Sequence, residues 1–247
     1  MKRRCLLLAG VGGVCVHGMA RAQAAAAAAA SAPPAASAPP AAPAVPPLKS
    51  LGNERYQVGR IIVDKRAGVV TVPGRVRNLD KPLEYLATTP SARKAYETLL
   101  ELDANGTELN LACILAGFER DPAAPPTKPL AVSKIEGQRV ALTVAWGTGA
   151  QRQRMSAAEA LFGTEATGRG KSLDWMYTGS FTSTDGRRIA ADVTGTLVSF
   201  VKKDLTGIIE VVSDAVIGPY GEIRGNTKLP AEGSAIELII EPVKGAK

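Results

Sequence analysis

Beyond residue 50 the chain alternates apolar and polar positions with a period of two over many short stretches, the signature of half-buried strands. Residues 58–63 and 69–72 flank the turn-forming sequence Asp64-Lys-Arg-Ala-Gly68 and predict a hairpin. Residues 83–88 predict a third strand. Residues 96–102 alternate less cleanly and fit either a strand or a helix. Further strands are predicted at 139–146, 151–155, 175–180, 193–201, 207–212 and 235–241. The 151–155 stretch (Gln-Arg-Gln-Arg-Met) is polar enough for a sheet edge.

One segment has the helical period instead. Leu109, Ala112, Cys113 and Ala116 recur at i, i+3, i+4 and i+7, and Leu111, Ile114 and Leu115 widen the apolar face. A largely buried helix is predicted there, with Thr107 as its cap and Gly117 ending it in the left-handed conformation. Ser156 and Glu159 have capping-box spacing and open a short helix toward Phe162. These elements predict a β-rich α+β domain over residues 51–247. Its strands are mostly antiparallel, with one buried and one short helix.

The first 50 residues follow neither period. Met1-Lys2-Arg3-Arg4 is positive, and residues 5–16 are uncharged and apolar. That stretch is shorter than the about 20 residues a spanning helix needs. It fits the apolar region of an export signal, with Ala20-Arg21-Ala22 as the cleavage site. A short N-terminal anchor is the alternative. Arg3-Arg4-Cys5-Leu6-Leu7 also looks like a twin-arginine signal, so export in the folded state and export unfolded both stay open. Cys15 follows Val14 inside the apolar stretch, which argues against lipidation. No transmembrane anchor is expected after cleavage, and the expected location is periplasmic or secreted. Residues 23–50 are dominated by Ala, Pro and Ser, with too little large apolar surface to repay ordering. They are expected to be a disordered linker, either passive or a tether.

Composition changes the picture mainly through what cleavage would remove. The chain carries 30 basic and 23 acidic residues, but Lys2, Arg3, Arg4 and Arg21 precede residue 23. The remainder has no dense basic stripe, and aromatics make up 4% of the chain, which argues against a nucleic-acid partner. Cys5, Cys15 and His17 also lie in the signal. The processed chain then holds Cys113 and no histidine. It cannot form an internal disulfide, a zinc site built from cysteines and histidines, or an iron–sulfur cluster of its own. Histidine-ligated haem and Ser-His-Asp or Cys-His catalysis are excluded by the same count. No cofactor and no metal site is expected. Cys113, on the inner stripe of its helix, fits an inert core thiol better than a nucleophile.

Several short stretches in order resemble the YdjY-domain family. They are residues 59–65, 70–75 and 83–86, Lys94-Ala-Tyr-Glu-Thr-Leu-Leu100, and the helix 109–117. The likeness resumes at 140–146, 175–180 and 190–195, and spans roughly residues 57–215. It implies an exported protein or lipoprotein of unknown function, some members of which carry a ferredoxin-like description. Where the family typically has His-Glu, this chain has Tyr96-Glu97. A single thiol cannot support a self-contained cluster.

Two constellations are candidates for ligand binding. Glu84 lies between apolar neighbours in a strand, and Lys94 and Glu97 are three apart, so the three can form a charged cluster. Such a cluster binds a ligand or a hard cation. Alternatively it is a structural ion pair tying the N-terminal hairpin to the buried helix. The second constellation is Trp175, Thr178 and Ser180 with Asp192, an apolar wall beside hydroxyls of the kind that lines pockets. A core tryptophan with hydroxyls satisfied by backbone is the alternative. Ser180 has no histidine base, and Lys171 is the nearest lysine in sequence. The readings that follow are a non-enzymatic domain binding a small molecule or an envelope protein, a hydrolase using Glu84 or Glu97 with Asp192, and an accessory to envelope electron transfer.

Overall fold

The computed structural model describes residues 46–119, 137–162, 173–182, 188–200, 206–212 and 223–243. The expected signal, nearly all of the linker, the Pro-rich stretch 121–129 and Lys171 lie outside the described residues. The described residues include twelve strands and three α-helices: β1 (Leu48–Gly52), β2 (Arg55–Val58), β3 (Ile61–Asp64), β4 (Val69–Val76), β5 (Tyr85–Thr88), β6 (Thr98–Leu102), α1 (Gly106–Leu115), β7 (Gln138–Trp146), β8 (Gln153–Ser156), α2 (Ala157–Phe162), β9 (Trp175–Tyr177), α3 (Ala190–Thr194), β10 (Thr196–Ser199), β11 (Ile209–Val211) and β12 (Ala235–Pro242).

Three long strands make the spine of the sheet. β12 pairs antiparallel with β4 on one side and β7 on the other, and the register sets Leu238 against both Val72 and Val144. Val70, Val72, Leu142, Val144, Leu238 and Ile240, two apart on their strands, are all buried and form one apolar layer. From β7 the sheet continues through β9, β11, β10, β5 and β6, and β6 pairs back onto β4. Eight strands therefore close into a barrel. Closure removes free edges along the ring, and the aligned inner rows make the core.

Closure depends on Gly74. It lies opposite Leu102 in the β4–β6 pairing, and a Cβ built on it would sit 2.4 Å from the Glu101 carbonyl oxygen. Only a residue without a side chain lets the two strands approach there. The same seam carries a charge clamp. Glu101, buried, is ion-paired with Arg75 from the facing strand and lies 3.5 Å from Arg77 Nε.

The β-rich α+β class holds and most pairings are antiparallel, but the sheet is mixed: β5–β6 and β10–β11 are parallel. The predicted strand 58–63 is two strands, because Gly59 adopts a φ of +57° and turns the chain between β2 and β3. The start of the predicted strand 193–201 is instead helix α3, ended by Gly195 at φ +78° before β10 begins. β1 starts at Leu48 and pairs with β2, so regular structure begins before residue 51.

Helix α1 is where the sequence placed it, but Asn105 caps it. Asn105 Oδ1 accepts the Glu108 N–H at 2.8 Å, and the Glu108 carboxylate accepts the Asn105 N–H at 2.9 Å. Thr107 is taken up elsewhere, as described below. Gly117 has φ +89°, the expected left-handed stop. Cys113 is fully buried, and that burial pushes its thiol pKa well above the ordinary value. At α2 the expected capping box forms between Ser156 and Glu159. Hydrogen bonds from the Ser156 backbone and hydroxyl hold the Glu159 carboxyl below the usual range.

Candidate functional site

The first candidate cluster assembles. Glu84 immediately precedes β5, and Lys94 precedes a 3-10 turn (Ala95–Glu97) that leads into β6. The parallel pairing of β5 with β6 brings the two ends of this crossover together, and the Glu84 N–H donates to the Glu97 carbonyl at 2.9 Å. Lys94 Nζ donates to Glu84 Oε2 and to the Tyr85 hydroxyl, each at 3.2 Å. It also lies 3.9 Å from Glu97 Oε2 and 5.5 Å from the centre of the Tyr85 ring. The two carboxylate side chains are 6% and 11% exposed, whereas Lys94 is 37% exposed. Burial works against the ammonium, but the bonds to Tyr85 and Glu84 and their charge outweigh it, so the Lys94 pKa is raised. This cluster ties β5 to the turn before β6. It does not link the N-terminal hairpin to α1, because both partners belong to the one crossover.

The second candidate constellation is divided by the fold. Thr178 and Ser180 follow β9 and spend their hydroxyls on backbone. Thr178 Oγ1 donates to the carbonyls of Gly207 and Ile208, each at 3.2 Å. Ser180, at φ +59°, donates to the Thr206 carbonyl at 2.9 Å and accepts the Ala191 N–H at 3.2 Å. It thereby pins the start of α3. Asp192 on α3 turns to α1, where Oδ1 accepts the Thr107 N–H at 3.0 Å and Oδ2 accepts the Thr107 hydroxyl. A carboxylate at the first turn of α1 also complements the helix dipole. Asp192 is thus committed to a helix start 85 residues away in the chain.

Trp175 has a different setting. β7 pairs with β9 through residues 138–140 and with β8 through residues 143–146. The two neighbours part at Ala141 and Leu142, and a cleft of about 200 Å³ opens between them. Trp175, Leu173, Val140 and the first residues of α2, Ala157 and Ala158, line it. Arg139 and Asp174, paired at 3.1 Å, stand at its side. The cleft is mainly apolar with one ion pair, the mix that orients an apolar group. Tyr177, two residues on, is fully buried and donates its hydroxyl to Asn110 on α1 at 2.7 Å. It also meets Phe118 edge-on, with ring centroids 5.8 Å apart.

Sequence reasoning missed two buried acids, Glu101 and Glu210. Glu210 in β11 accepts the Gly207 N–H at 2.7 Å and is 1% exposed. The signal that singled out Glu84, an acid between large apolar strand residues, is present in Leu100-Glu101-Leu102 and Ile209-Glu210-Val211 as well. Among the described residues no group of three or more His, Cys, Asp or Glu side chains is placed to hold a metal ion.

An eight-stranded mixed barrel with a lysine between two sunken carboxylates at one crossover and a lateral apolar cleft is the class these features define. A family model for the YdjY domain matches residues 61–241, and the chain belongs to that family. No curated protein and no solved structure matches the chain.

Proposed function

We propose that this is an exported, non-enzymatic binding protein of the cell envelope, with the cleft beside Trp175 as its binding site. In this reading residues 1–22 are removed, and the Ala/Pro-rich linker runs up to β1. The observation that carries the proposal is the split of β8 from β9 along β7, which leaves an apolar recess walled by Trp175 and flanked by the Arg139–Asp174 pair. At about 200 Å³ the recess is smaller than the roughly 300–1,000 Å³ typical of pockets for drug-sized ligands. It suits a single apolar side chain of an envelope partner or a compact small molecule. Among the described residues no helix is long and apolar enough to cross a membrane.

The arrangement of the acids favours binding over hydrolysis. Glu84 and Glu97 share Lys94, and Asp192 gives both oxygens to Thr107. Two-acid hydrolysis instead sets both carboxyls across one substrate site. Thermal denaturation against panels of metabolites, metal ions and short peptides tests the proposal. A ligand present at 100 times its Kd adds about 2.7 kcal/mol, which for a domain of this size raises Tm by about 5–10 °C. The shift should vanish in Ala158→Phe, which fills the recess. No shift with any class, or an equal shift in the variant, would refute the assignment.

A further inference from the structure

We infer that the free edge of β1 is a docking strand for an extended, acidic segment of a partner protein. Among the described residues β1 is the terminal strand of the sheet, and all five of its residues are exposed. Its pairing with β2 sets Leu48 against Val58, Lys49 against Gln57 and Ser50 against Tyr56. The Gly59 N–H donates to the Pro47 carbonyl, so in this antiparallel ladder residues 47 and 49 turn their backbone groups toward β2. Leu48 and Ser50 therefore turn theirs outward. The usable edge is two residues long, bounded by Pro46 and Pro47 before it and by the turn at Gly52, Asn53 and Glu54 after it.

Charge selects the occupant. Lys49 lies between the two outward-facing residues, and its side chain points to the opposite face of the strand from Leu48. A second copy of the chain, paired antiparallel through Leu48 and Ser50, would place Lys49 against Lys49, a destabilising cross-strand pair. Residues 46–68 carry five basic side chains against Glu54 and Asp64, a surplus of three. From residue 69 onward 21 basic and 21 acidic residues balance. The net charge of the processed chain is therefore concentrated on the β1–β3 ribbon. Among the described residues no salt bridge takes up Lys49, Arg55, Lys65 or Arg66. Arg55 lies on the same face as Gln57 and hence as Lys49. A strand added here gains main-chain hydrogen bonds from Leu48 and Ser50, an acid opposite Lys49, and apolar contact with Leu48, which is 53% exposed. β1 and β2 precede the region matched by the family model, so this edge is separate from the family core and from the Trp175 cleft.

The test is fluorescence anisotropy of the processed protein with two labelled peptides, acetyl-Thr-Val-Glu-Val-Thr-amide and its lysine-centred counterpart. The glutamate peptide should bind saturably, and the lysine peptide about fivefold more weakly. Lys49→Glu should invert that ranking. Ser50→Pro, which deletes an outward N–H and is tolerated at a free edge, should abolish binding of both. If Ser50→Pro unfolds the hairpin by circular dichroism, the Lys49→Glu inversion still decides. Absence of binding by either peptide, or a ranking unchanged by Lys49→Glu, overturns the inference. So does a wild-type dimer in sedimentation velocity that Ser50→Pro dissolves, because the occupant would then be a second copy.

Discussion

Replacing Lys94 with methionine removes the charge that lies 5.5 Å from the centre of the Tyr85 ring while keeping an unbranched side chain of similar length. Exposed ion pairs contribute about 0–1 kcal/mol, whereas removing one partner of a buried pair costs about 3–5 kcal/mol. Lys94 lies between these limits. Its own side chain is 37% exposed, but Glu84 and Glu97 are nearly covered, so solvent screens one end of each pair and not the other. A cost of about 2 kcal/mol follows, which for a domain of this size lowers Tm by about 4–8 °C. Calorimetry at pH 7 measures it. A double-mutant cycle with Glu84→Gln should give a coupling of about 1 kcal/mol, since the two changes remove one shared contact. The pH dependence has a definite sign. The Lys94 pKa is raised in the folded state above its ordinary 10.5. Its contribution is therefore fully present below that value and is lost as pH rises through the higher folded pKa. A Tm change within about 1 °C, or a coupling near zero, would show that the crossover is held by packing alone and would refute this reasoning.

Other outcomes follow from the same structure. Gly74→Ala should destabilise by at least about 1–3 kcal/mol in chemical denaturation, because its methyl group would meet the Glu101 carbonyl at the barrel seam. Asn105→Ala should cost about 1 kcal/mol by loss of the α1 cap, and Thr107→Val should cost a comparable amount by removing the hydroxyl that donates to Asp192. Ellman's reagent should leave Cys113 unmodified in the folded protein and react with it fully in denaturant, since the thiol is buried and its pKa raised.

The strands of the spine were legible because each buries one face, and α1 was legible because its apolar residues keep a helical period. What lay beyond the sequence was non-local. Barrel closure rests on Gly74 meeting Leu102 across the β4–β6 seam, and a glycine inside an apolar stretch does not announce its partner. The parallel pairs arise from where crossovers return, which period-two patterning does not encode. α3 has five residues, too few to show a helical period, so the apolar run 193–201 read as strand from its start. Thr107 read as the α1 cap, but Asn105 holds that position, and Asp192 takes Thr107 from 85 residues away. The cluster of Glu84, Lys94 and Glu97 was readable because its members lie within one short crossover. Trp175, Thr178, Ser180 and Asp192 read as one site from their residue types, yet the fold gives the hydroxyls to backbone and the carboxylate to α1. Of these four, only Trp175 lines the cleft.

If the cleft beside Trp175 binds an apolar group, the emission of Trp175 should report its occupancy. The chain has two tryptophans, so Trp146→Phe leaves Trp175 as the sole reporter. Titration of that variant with the N-acetyl amides of leucine, methionine and phenylalanine, read as Trp175 emission, tests the claim most directly. A saturable change is expected for at least one amide, lost when Ala158→Phe is added. Emission that stays unchanged with all three, or that changes equally with the recess filled, would contradict it.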